Sequence, residues 1–162
     1  MKVLIKSSIL LVISSIMACG GQSKIDQIKS QTITEVPKSS PKGIGEIKEV
    51  NLSDQLEQSM VITGKAIYEM KCSACHRLAS QRVVGPGFEG VTNRRRPEWI
   101  MNMITNVDVM LDKDPQAQAL LEECLTRMPN QNVSIGDARS LLEFLRSNDH
   151  ERIGTKDQAI TK

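Results

Sequence analysis

Apolar residues fall along the chain in three regimes. A basic start at Lys2 and Lys6 gives way to the stretch Ile9 to Ile13, continued through Ser14 and Ser15 to Ile16 and Met17. From Gly20 to about Gln58 apolar positions are sparse and follow no period, and Lys, Ser, Gln, Glu and Pro dominate. From Ser59 to Asp149 they recur at helical spacing between start signals. A helix over Thr63 to Lys71 sets Gly64 and Tyr68 one turn apart on one face. Pro97 opens a second, with the stripe Ile100, Met101, Met103 and Ile104. Asp114-Pro115 caps and starts a third, carrying Ala119, Leu120, Leu121, Cys124 and Leu125. Ser134 with Asp137 has the spacing of a capping box ahead of a last helix, with Ala138, Leu141, Leu142 and Leu145 inward. No segment alternates as a strand, so the expected fold class is all-α, a small domain of short helices.

The leader is short and interrupted by serine for a bilayer span, and reads as an export signal over residues 1–18. The run Ile16-Met17-Ala18-Cys19-Gly20 resembles the lipobox of bacterial lipoproteins, in which Cys19 is acylated and becomes the new N-terminus. An ordinary secretory signal and an uncleaved membrane anchor are the alternatives, and all three put the remainder outside the cytoplasm. Residues 19–58 are then an acylated cysteine and a flexible tether, since so little apolar surface does not offset ordering entropy. About 40 such residues span roughly 35 Å. Val50-Asn51-Leu52 is the part that has an alternative, docking on the domain as an extended strand. The folded domain occupies 59–149 and a tail 150–162.

Charge excludes one class of partner. The chain has 21 Lys+Arg against 19 Asp+Glu, and without Lys2 and Lys6 it is formally neutral, so a nucleic-acid role is not expected. Composition raises a packing question instead. With one Trp, one Tyr and two Phe in 162 residues, the core is filled by aliphatic side chains and Met, or by something that is not an amino acid.

Cys72-Ser73-Ala74-Cys75-His76 answers it. Two thiols at this spacing suit addition to the two vinyl groups of one porphyrin, and the adjacent imidazole reaches the iron. Zinc would need further ligands, for which only Cys124 and His150 remain, and a redox dithiol belongs in a β-α-β setting that is absent here. One covalent haem c, attached through Cys72 and Cys75, is therefore the expected cofactor, and its macrocycle supplies the missing apolar area.

From Gly64 to Arg146 the sequence resembles the class I c-type cytochromes. Gly64-x-x-x-Tyr68-x-x-x-Cys72-Ser73-Ala74-Cys75-His76 looks like their first helix and attachment site. Gly85-Pro86-Gly87-Phe88-Glu89-Gly90 resembles the loop whose Pro86 carbonyl accepts from the proximal imidazole. Val91 to Ile100 looks like the arginine-containing turn and following helix, Met128-Pro129 like the distal-ligand loop, and Leu141 to Leu145 like the closing helix. The resemblance implies that His76 and Met128 are the iron ligands and that Pro86, Arg95 and Trp99 belong to the haem site. Met101 and Met103 sit in a core stripe. His150 lies beyond the last expected helix. Trp99 either donates its indole N–H to a haem propionate or is core. One of Arg94, Arg95 and Arg96 is expected near a propionate, and Cys124 is expected to be a buried, inert thiol, or else to form an intermolecular disulfide.

Two functional classes follow. An iron held by His76 and Met128 has no open position, so the domain passes electrons and is not an enzyme; with a labile distal ligand it is instead a haem-based sensor. The carrier reading implies redox partners outside the cytoplasm, a quinol-oxidising complex as donor and a terminal reductase or oxidase as acceptor. The run through Arg95, Trp99 and Met128-Pro129-Asn130-Gln131 resembles small lipoprotein cytochromes associated with nitrous oxide reduction. Charge is also segregated: residues 77–96 hold five arginines against Glu89, and residues 108–123 hold Lys113 against five acids. That dipole either steers an acidic partner or is an ordinary solvated surface.

Overall fold

The computed structural model describes residues 40–154. The leader, the lipobox with Cys19, and most of the tail lie outside the described residues. Among the described residues the helices run in the order α1 (Gln58–Lys71), α2 (Val91–Arg94), α3 (Pro97–Thr105), α4 (Val107–Lys113), α5 (Pro115–Cys124) and α6 (Ile135–Ile153). Among the described residues the β-structure is a single bridge between His76 and Arg82.

The crossing of α1 with α6 organises the fold. It depends on Gly64, where a Cβ would come within 2.1 Å of the Ser140 carbonyl oxygen. Tyr68, Leu141 and Phe144 fill the space beside that contact. A second and larger cluster joins Trp99, Ile100 and Met101 of α3, Val107, Met110 and Leu111 of α4, Ala117 of α5 and Ala138, Leu142 and Leu145 of α6. The start signals act as expected. Pro97 and Pro115 occupy first turns, the Asp114 carboxylate accepts from the Gln116 and Ala117 N–H groups, and Ser134 Oγ accepts from the Asp137 N–H at 3.1 Å. The short α2 is capped from a distance, by the buried Asp149 carboxylate of α6, which accepts from Gly90 N (2.7 Å), Thr92 N (2.9 Å) and Thr92 Oγ1 (2.7 Å).

Several expectations are corrected. α1 begins five residues before Thr63, and α4 has no counterpart in the sequence reading because Asn106, the residue before it, makes no side-chain cap. On α5 it is Ala117 that is buried, while Ala119 is exposed. Leu125 ends the helix at φ 56°, pointing to solvent. The last helix continues past Asp149 to Ile153 and stops at Gly154, so His150 is helical rather than part of a tail.

The largest correction concerns the tether. Residues 42–57 pack on the domain as an extended strap. Ile47 is buried in the larger cluster with Ile44, Val50 and Leu52 packed against it, and polar contacts fix the backbone: the buried Asn102 accepts from Ile47 N (3.1 Å) and donates to the carbonyls of Lys42 (3.0 Å) and Ile47 (2.9 Å). Lys42 pairs with the buried Glu98 at 3.3 Å. Further along, Arg146 donates to the Ser53 carbonyl and Glu143 accepts from Glu57 N. Glu143 itself is buried between Arg139 and Arg146, so the ion cluster that sits on α6 also fastens the strap.

Candidate haem site

The end of α1 and the turn after it carry the attachment motif. Cys72 caps the helix, and the His76 N–H donates to the Cys72 carbonyl at 2.9 Å, closing a tight turn over Cys72 to His76. The chain then folds back on itself, with Gly85 N bonded to the Cys75 carbonyl (3.0 Å) and Phe88 N to the Arg77 carbonyl (2.8 Å). This fold-back delivers the Pro86 carbonyl to His76 Nδ1 at 2.9 Å. A carbonyl only accepts, so Nδ1 carries the proton and Nε2 presents its lone pair. Burial lowers the His76 pKa below its usual value and the Pro86 contact raises it, with burial prevailing, so the ring is neutral at pH 7.

Three neighbours hold the ring in place. Phe88 stacks on it with centroids 4.5 Å apart and planes 8° from parallel, and Tyr68 donates its hydroxyl to the His76 carbonyl at 2.7 Å. Gly85 lies so close that a Cβ there would stand 2.3 Å from the imidazole Cε1. The sequence reading named these residues only as parts of motifs. The signal that was available is their placement at the two ends of the fold-back, a glycine and an aromatic flanking Pro86.

His76 opens onto a cavity of about 700 Å³, within the ~300–1,000 Å³ typical of cofactor sites. Its lining is mainly apolar, with Val84, Phe88, Ile100, Met103, Ile104, Leu120, Leu121 and Leu145 prominent. Met128 lines the same cavity, from the loop between α5 and α6, as do Cys75, Pro86, Arg95 and Trp99. Cys72 is not among the lining residues. It packs against the cluster of Tyr68, Leu141 and Phe144, and burial pushes its thiol up to about 11, which keeps it protonated and disfavours a thiolate metal site. No group of three His, Cys, Asp or Glu that could hold a metal ion occurs among the described residues. A large apolar space with one neutral imidazole and one thioether in its walls fits a flat iron-containing macrocycle.

The other candidates sort themselves by the same geometry. Trp99 lines the cavity, but its indole N–H, expected to meet a propionate or simply to be core, donates to Asp114 Oδ1 at 3.1 Å. The Arg95 guanidinium lies over the Trp99 ring, 4.7 Å from its centroid, and hydrogen-bonds Gln116. Arg94 also lines the cavity, bonding the carbonyls of Glu89 and Gly87, whereas Arg96 turns to Glu98 at 3.2 Å. Met101 and Met110 are core, and Met103 reaches the cavity wall. Cys124, expected to be buried, is only half-buried and stands in that wall as a free thiol. His150 does not line the cavity.

The comparisons with known proteins agree with this site. A family model described as cytochrome c matches residues 61–149. Among solved structures, cytochrome c from Rhodothermus marinus is similar with a TM-score of 0.65 and 34% identity, over 67% of this chain and 92% of that one. An engineered form of that cytochrome bound to a carbene intermediate is similar with a TM-score of 0.63 and 33% identity, over 68% of this chain and 99% of that one. A comparison with curated proteins found no match. An all-helical chain carrying the attachment motif at the end of α1, with an imidazole and a thioether in the walls of one cavity, belongs to the cytochrome c family, whose members transfer electrons through one covalently attached haem c.

Proposed function

We propose that this protein is an exported, lipid-anchored, monohaem electron carrier working on the periplasmic side of a bacterial membrane. The observation that carries the reading is that His76 and Met128 line one apolar cavity, with His76 oriented by Pro86. Cys72 and Cys75 would hold the haem covalently, and His76 Nε2 and Met128 Sδ would hold its iron. When bound, the haem supplies a one-electron couple at its iron. The chain's own part is to exclude water with the aliphatic wall, to fix the imidazole tautomer through Pro86, and to present Arg94 and Arg95 as cationic groups beside the cavity. With both His76 and Met128 holding the iron, no position would be left for an exogenous ligand, which favours a carrier over a sensor.

Partners are inferred from the carrier role: a quinol-oxidising complex as donor, a terminal reductase or oxidase as acceptor. Nitrous oxide reductase is the acceptor supported by the resemblance of the Arg95, Trp99 and Met128 to Gln131 run. The anchor is supported by the lipobox-like run ending at Cys19.

Two sets of substitutions test the two halves. Replacing Cys72 and Cys75 by Ser should leave no haem bound to the chain after denaturation; covalent haem persisting in that variant would refute the attachment. Cys19→Ser should move the protein from membrane to soluble fractions, and retention in the membrane would refute the lipid anchor.

A further inference from the structure

Asp114 bears on the cavity without lining it. The residue is fully buried at the start of α5, and its Oδ1 accepts three hydrogen bonds: from Trp99 Nε1 (3.1 Å), Gln116 N (3.1 Å) and Ala117 N (3.0 Å). Its Oδ2 is buried with no hydrogen-bond partner. The other buried carboxylates have both oxygens engaged: Glu98 with Lys42 and Arg96, Glu143 with Arg146 and Arg139, Asp149 with Gly90 and Thr92. Capping does not require this charge, since Asn and Ser cap a helix as well as Asp. The indole does not require it either, because any acceptor would do. A buried charge costs folding free energy, and the groups that answer this one are the helix N-terminus it caps and the Arg95 guanidinium, so its effect is to be sought in what lies next to it.

Trp99 and Arg95 lie next to it. Both line the cavity, from opposite sides of one contact: the indole ring donates to the carboxylate through its edge and carries the guanidinium over its face. Asp114 also joins the two walls, because Trp99 belongs to α3 and the capped helix α5 carries Leu120, Leu121 and Cys124 toward the Met128 loop.

We propose that Asp114 is a positioning residue that sets the reduction potential of the site, its buried charge acting on the cavity through Trp99 and in opposition to Arg95. The inference rests on the carrier reading given above. The oxidised iron bears one more positive charge than the reduced iron, so a nearby negative charge in a poorly screened interior stabilises the oxidised form. The indole N–H withdraws part of that charge, and Arg95 offsets more of it.

Asp114→Asn keeps an oxygen for the cap and the indole and removes the charge. In the holoprotein, at a fixed solution potential near the parent midpoint, the reduced-to-oxidised ratio should rise about three- to tenfold, tenfold being 59 mV for one electron. Trp99→Phe keeps an aromatic wall but removes the N–H that offsets the carboxylate, and should lower the same ratio. An unchanged ratio in Asp114→Asn, or shifts of the same sign in both variants, would overturn the proposal. Should Asp114→Asn not retain haem, Trp99→Phe decides: a fall supports it, and no change or a rise overturns it. Trp99 is the only tryptophan, so the single indole N–H resonance of the parent is expected to move in Asp114→Asn, and a stationary resonance would overturn the contact itself. The sulfur-to-iron charge-transfer band of the oxidised parent separates the two claims, because its absence contradicts the carrier reading while the variant shifts report on Asp114.

Discussion

At the scale of single residues, the site is controlled by what is missing as much as by what is present. Gly85 has no side chain, and that absence lets the His76 ring lie flat against the fold-back with Phe88 on its other side. A methyl group 2.3 Å from the imidazole Cε1 has nowhere to go, since the ring is also bonded to Pro86. Gly85→Ala should therefore cost about 1–3 kcal/mol of stability, the usual range for overpacking, and should shift the haem absorption bands because the ring must rotate. Denaturant unfolding followed at the Soret band measures both. A variant as stable as the parent with an unchanged spectrum would show that the close approach is relieved without moving His76. The same logic explains why Cys75, Pro86 and Met128 were legible from sequence while Phe88, Tyr68 and Gly85 were not, as individual contributors. A ligand is fixed by its chemistry, whereas a packing partner is fixed by a fold-back that the sequence does not spell out.

At the scale of elements, the helices were readable where side chains mark their ends. Asp114-Pro115, Pro97 and Ser134 announce α5, α3 and α6 in the sequence, and each is found doing so. Gly64 in α1 announced a close crossing, and the Ser140 backbone of α6 is what it crosses. The unread elements share a different property: their stabilising partners are distant. The cap of α2 comes from Asp149, far along the chain, and the strap is held by Asn102, Glu98, Glu143 and Arg146. The strap's apolar contacts, Ile44, Ile47, Val50 and Leu52, are few and lie in a stretch dominated by polar residues, so they do not by themselves mark an element. The strap's dependence on Asn102 yields a prediction. Asn102→Ala removes three hydrogen bonds and leaves the Ile47 N–H and two carbonyls to find new partners, at a cost of about 1–3 kcal/mol. Limited proteolysis should then cut within residues 42–50 well before the helical core. Equal protection of the strap in variant and parent would contradict its being held by Asn102.

At the scale of the whole molecule, charge is arranged differently from its order in the sequence. The basic segment 77–96 meets the acidic segment 108–123 where Arg82 pairs with Glu123 at 3.5 Å, and Arg127, outside both, draws in Asp112 at 2.8 Å and Asp108 at 3.5 Å. Of the basic segment, Arg77 is exposed and Arg94 and Arg95 stand at the cavity, which leaves a smaller charge there than the sequence dipole suggested. The buried acids set the pH response. Burial alone would raise Glu143, but the hydrogen bonds from Arg139 and Glu57 N and the charge of Arg146 outweigh it and hold its carboxyl below the ordinary 4.5. Glu98 is likewise raised by burial and lowered further by backbone hydrogen bonding and by Arg96 and Lys42, ending below 4.5. Groups depressed on folding contribute their stability in full above the unfolded value and lose it as pH falls through the folded one. The thermal midpoint should therefore hold steady above about pH 5 and fall steeply below 4.5. Glu143→Gln should flatten that fall and lower stability at pH 7 by about 3 kcal/mol, because it removes the carboxylate that pairs with Arg139 and Arg146 in a buried cluster. An unaltered acid profile in that variant would assign the pH response to other groups.

The proposal that His76 and Met128 together hold one iron is tested by the near-infrared absorption of the oxidised protein. A thioether bound to ferric iron gives a sulfur-to-iron charge-transfer band, and a thioether ligand also raises the reduction potential. The parent should show the band, and Met128→Ala should lose it, take a lower potential and bind carbon monoxide when reduced. Substitution of Met101, Met103 or Met110 should leave the band in place. A parent that lacks the band and binds carbon monoxide readily at neutral pH would contradict the account and point to a haem sensor with an open distal position.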